Sequence, residues 1–74
     1  MKSIRKITVG TNYKQDAMHY IVGQRVINNT WEIHLIKESE DGYELFIEKD
    51  DEVQLWKMFN KNMGISVELS LIHI

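Results

Sequence analysis

The sequence predicts an α+β fold: a mainly antiparallel sheet of about five strands with one helix packed on one face, in the order ββββαβ. Three observations lead there. Residues 50–64 carry apolar side chains at helical spacing between a start and a stop signal. Several other stretches are apolar or alternating over strand lengths and are bounded by turn-forming residues. The last of these, Ile65-Ser66-Val67-Glu68-Leu69-Ser70-Leu71, alternates without a fault.

Ser3 to Val9 reads as the first strand, with Ile7 and Val9 on one face and Ile4, Lys6 and Thr8 on the other. Gly10-Thr11-Asn12 breaks it, and residues 13–16 form a loop or a single helical turn. A second strand runs from about Ala17 to Ile27. Asn28-Asn29 follows as a two-residue turn, because asparagine tolerates positive φ. A third strand covers Thr30 to Lys37, and the turn Glu38-Ser39-Glu40-Asp41-Gly42 leads to a fourth, Tyr43 to Lys49.

The helix is then expected from Asp50 to Gly64. Asp51 is the N-cap, with Gln54 three residues on as in a capping box. Asp50, Asp51 and Glu52 suit the positive end of the helix dipole, and Lys57 and Lys61 its negative end. Val53, Trp56, Phe59 and Met63 recur at steps of three and four with Leu55 beside them, and Gly64 closes the last turn.

The two turns imply a register. Val26 falls opposite Trp31, Arg25 opposite Glu32, Ile21 opposite Ile36 and His19 opposite Glu38. Leu35 falls opposite Leu45, His34 opposite Phe46, Ile33 opposite Ile47 and Glu32 opposite Glu48. One face then gathers Met18, Tyr20, Val22, Val26, Trp31, Ile33, Leu35, Tyr43, Leu45 and Ile47, to be covered by the helix. The opposite face gathers Ile21, His34, Ile36 and Phe46 within a rim of Arg25, Glu32, Glu44 and Glu48. A solvated sheet face is expected to be polar, so that cluster is a candidate protein-contact patch.

The 74 residues make one domain, residues 1–74, near the lower size limit for folding without a disulfide or a metal. There is no cysteine, which removes disulfides and thiolate metal sites. The segment Met1-Lys2-Ser3-Ile4-Arg5-Lys6 lacks the apolar run of an export signal, and no stretch is long enough to span a bilayer. A cytoplasmic protein without membrane contact is the expectation. Net charge is −2 but segregated, with eight of the eleven acids between Glu38 and Glu52. That run lacks the ligand spacing of a calcium loop, and no cofactor is implied.

His19, His34 and His73 have no cysteine or motif-borne serine beside them, so a non-enzymatic protein is expected. Nucleic-acid binding is the alternative. Lys2, Arg5, Lys6, Tyr13 and Lys14 mix cations for phosphates with a ring for stacking. Trp31 and Trp56 are expected in the core. The final strand, ending in Leu69-Ser70-Leu71-Ile72-His73-Ile74, offers a second interface if it lies at an edge, and pairing with the first strand is the other option.

In its size, its lack of proline and cysteine, and segments such as Asn28-Asn29-Thr30-Trp31-Glu32-Ile33-His34-Leu35-Ile36-Lys37, the chain resembles the small accessory proteins of large tailed bacteriophages. The resemblance implies a short cytoplasmic non-enzymatic protein that binds and redirects or inhibits a host factor. No residue roles carry over from it. The expected function is thus a small protein-interaction module whose partner is another protein or a second copy of itself. An RNA- or DNA-binding regulator is the alternative.

Overall fold

Tyr43, Leu45 and Ile47 alternate with Glu44, Phe46 and Glu48, and this period of two turns one face of residues 42–49 inward. In the computed structural model, which describes residues 2–10 and 17–71, that strand lies inside an antiparallel sheet. The elements are β1 (Lys2–Val9), β2 (Met18–Ile21), β3 (Arg25–Val26), β4 (Trp31–Glu38), β5 (Gly42–Lys49), β6 (Glu52–Asn60), a 3-10 turn (Lys61–Met63) and β7 (Ile65–Leu71). They form a four-stranded sheet of order β3-β4-β5-β6 and a three-stranded sheet of order β2-β1-β7.

The chain passes from one sheet to the other between β2 and β3. The Val22 amide donates to the Arg5 carbonyl at 2.9 Å, and the Gly23 amide donates to the Ile33 carbonyl at 2.8 Å. Successive residues thus bond to different sheets, a corner that Gly23 permits at φ 96°. Ile7, Val9, Tyr20, Ile33, Ile36, Leu45 and Ile47 are buried between the sheets, with Trp31 and Trp56 partly buried against them. The Tyr20 ring meets Trp56 edge-on at 5.8 Å and tilts against Phe59 at 5.4 Å.

The α+β expectation is overturned, because the described residues contain no α-helix. Residues 50–64 instead hold a hairpin turn, the strand β6 and the 3-10 turn. Asp50 and Asp51 take φ of 50° and 66°, as a two-residue hairpin turn between Lys49 and Glu52 requires, so Asp51 caps no helix. Phe46 lies opposite Leu55 and Leu45 opposite Lys57, which leaves Trp56 as the extra residue of a bulge. A bulge shifts the alternation by one, so Trp56 and Phe59 both pack on the core although they stand three positions apart. That step of three imitates a helix. Gly64 does adopt the left-handed conformation, φ 67°, but closes a 3-10 turn capped by Asn60.

A second bulge, at His34, corrects the register. Val26–Trp31, Arg25–Glu32, Glu32–Glu48 and Ile33–Ile47 are paired as the turns imply. Beyond His34 the pairs become Leu35–Phe46 and Ile36–Leu45. Ile36 is therefore core, at 3 % exposure, and Leu35 points outward at 44 %. Ile21 lies opposite Lys6 in the other sheet, and His19 lies opposite Thr8 rather than Glu38. A third bulge, at Arg5, brings Ile4 to the face of Ile7. The seven-residue strand β7 has the bounds the alternation predicts and pairs with β1, but as the last strand of its sheet.

Candidate interaction face

Residues directly opposite each other in an antiparallel pair share a face. The pairings therefore lay out the outer surface of the four-stranded sheet in rows. Leu35, Phe46 and Leu55 form one row across β4, β5 and β6. Arg25, Glu32, Glu48 and Val53 form the row on one side, and Lys37, Glu44 and Met58 the row on the other. The result is an apolar bar that continues along β6 through Val53 and Met58, with the charges gathered on β3, β4 and β5. Leu35, Val53, Leu55 and Met58 are all exposed, Met58 at 64 %, and Phe46 is half-buried beneath them.

Of the predicted patch, Phe46, His34, Arg25, Glu32, Glu44 and Glu48 belong to this face. Ile36 and Ile21 do not, for the reasons given by the His34 bulge and the corner between sheets. His34 Nδ1 stands 3.6 Å from Glu48 Oε2 at the edge of the bar. Glu48 in turn lies directly opposite Glu32, so two carboxylates stand side by side at this edge. Leu35, Val53, Leu55 and Met58 were missing from the prediction. The alternation Val53-Gln54-Leu55 is the available signal for two of them, since it continues the sheet past β5, whereas Met58 lies beyond the Trp56 bulge.

The three-stranded sheet contrasts with this face. Its outer surface carries Ser3, Lys6, Thr8, Ser66, Glu68 and Ser70, with Ser3 and Ser70 hydroxyls 3.2 Å apart. Thr8 Oγ1 lies 3.1 Å from His19 Nδ1. Arg5 donates to Glu68 at 2.6 Å, so this cation of the predicted nucleic-acid segment already has an anionic partner. Tyr13, Lys14 and the Lys2 side chain lie outside the described residues, and Lys6 sits opposite Glu68.

Ser39, Asp41, Gly42, Tyr43, Met58, Phe59 and Asn60 line a recess of about 230 Å³, below the usual size of a small-molecule site. Among the described residues no three His, Asp or Glu side chains converge as metal ligands would. At the same end, Lys61 donates to Glu38 at 3.0 Å, and that hydrogen bond raises the lysine pKa above its ordinary value. Burial raises the Tyr20 pKa likewise.

Fold and surface together define a small two-sheet β protein with one polar and one apolar outer face. No protein-family model, curated protein or solved structure matches the chain. No helix among the described residues is long and apolar enough to cross a membrane.

Proposed function

We propose that the protein is a non-catalytic interaction module that binds another protein through the outer face of its four-stranded sheet. The observation that carries this reading is the row Leu35–Phe46–Leu55, extended along β6 by Val53 and Met58. An apolar centre with a charged margin is the usual anatomy of a protein contact, and water is a poor partner for it. Glu32, Glu44 and Glu48 beside Arg25 and Lys37 set the orientation of a partner through complementary charge. A modulator of a host factor, as the phage resemblance implies, is one form of such a module. The engagement of Arg5 by Glu68 weighs against the nucleic-acid alternative.

The test replaces Leu55 and Met58 together by serine. Both side chains are exposed, so the far-ultraviolet spectrum and the urea midpoint should hold, with a change within about 0.5 kcal/mol. A photo-crosslinking residue at position 35 should capture a protein partner from lysate, and the double variant should lose that adduct. Equal capture by a probe at Thr8, on the polar sheet, would sink the proposal. So would unfolding of the serine variant, which would make these side chains structural.

A further inference from the structure

We propose that β7 pairs antiparallel with β7 of a second copy of this chain, about a two-fold axis at Glu68. This surface is separate from the apolar face and does not depend on it. β7 is hydrogen-bonded only to β1, and among the described residues no strand pairs with its other edge. Natural edge strands are guarded by bulges, lysine, proline or shortness. β6, the other long edge, has the Trp56 bulge and Lys57, while β2 and β3 span only four and two residues. β7 has seven residues in unbroken alternation, no proline, no lysine, and Glu68 as its single charge. It is the unguarded edge.

Three observations fix the occupant as a second β7. First, the strand is a palindrome by residue type: Ser66 mirrors Ser70, Val67 mirrors Leu69 and Ile65 mirrors Leu71 about Glu68. Antiparallel pairing on that centre sets apolar against apolar and serine against serine across the full strand. Second, the backbone phase agrees. The Gly10 amide donates to the Gly64 carbonyl at 3.0 Å, so Thr8–Ser66 and Lys6–Glu68 are the hydrogen-bonded pairs with β1. The amides and carbonyls of Ile65, Val67, Leu69 and Leu71 then point to the free edge, and the proposed register pairs these groups with one another. Third, Val67 and Leu69 lie on the inward face, opposite Ile7 and Ile4, yet Leu69 is 52 % exposed. The neighbouring strand would cover them. Glu68 meets its own copy at the axis, and the Arg5 guanidinium 2.6 Å from each carboxylate offsets that repulsion.

The chain has no cysteine, so one introduced thiol reports the axis directly. Glu68→Cys places two thiols across a non-hydrogen-bonded pair, within reach of a disulfide. Under mild oxidation it should convert to a covalent dimer at least tenfold faster than Glu40→Cys, which sits at an exposed hairpin tip. Ser66→Cys mixed with Ser70→Cys should link as a heterodimer, and neither should link alone. Sedimentation of the unaltered protein should show a dimer, and Leu69→Lys a folded monomer. A monomer at every concentration of the unaltered protein overturns the proposal, as does linking of Glu68→Cys no faster than Glu40→Cys.

Discussion

Ile27 stands with φ at 53°, a left-handed conformation that a β-branched side chain rarely adopts. It begins a run of three such residues with Asn28 (56°) and Asn29 (64°), and the turn is held by the Thr30 amide and hydroxyl on the Ile27 carbonyl. The asparagines suit the geometry and the isoleucine does not. Ile27 is exposed, so little packing offsets the strain. Ile27→Asn should stabilise the protein by about 1 kcal/mol, read as a higher urea midpoint at unchanged slope. Gly42 is constrained in the opposite sense, because a methyl group there would collide with the Phe59 carbonyl across the β5–β6 pair. Turn residues such as the two asparagines were legible in the sequence. The isoleucine beside them was not, because nothing local favours its conformation.

The bulges decide what could be read at the scale of the element. A strand that alternates throughout, such as β7, is visible in the sequence, and so is β5. β4 and β6 each contain one extra residue, and neither bulge has a sequence signature of its own. In β4 the bulge sends Ile36 inward and Leu35 outward, so one apolar member of the predicted contact patch is replaced by its neighbour. In β6 it spaces Trp56 and Phe59 as a helix would, and the acids of the hairpin turn then resembled a helix cap. The turn geometry won because Asp50 and Asp51 can both take positive φ and the preceding strand was already waiting for a partner. A paired substitution tests the bulge. Ile36→Ala should cost about 2–5 kcal/mol as a cavity in the core, whereas Leu35→Ala should cost less than about 1 kcal/mol. Equal losses in denaturant unfolding would restore the uninterrupted register.

For the whole molecule, the order of strands in space differs from their order along the chain in one place. β4, β5 and β6 follow one another through short turns, while β1 takes β7 as a neighbour across almost the entire sequence. Local pairings close at little loop entropy and distant ones do not, so the β4–β5–β6 meander should be structured in the folding transition state. Leu45→Ala, in the middle of that meander, should slow folding, and Val67→Ala should act mainly by speeding unfolding. Stopped-flow mixing into and out of urea separates the two, and a reversal of the pattern would place the nucleus at the β1–β7 pair. This distant pairing was left open by the sequence, since β1 and β7 carry no turn between them to set a register.

The bond between Ser3 and Ser70 spans 67 positions, and it has a meaning for the cell as well as for the fold. During translation β1 leaves the ribosome well before β7 is made. At about 5–20 residues per second, β1 waits seconds for its partner. Over that interval its backbone is available to any nascent chain on a neighbouring ribosome, including another copy of this protein read from the same message. The serine, lysine and threonine on its outer side keep the waiting strand hydrated. The same polar row that faces water in the finished three-stranded sheet is thus expected to keep the unfinished strand soluble during synthesis.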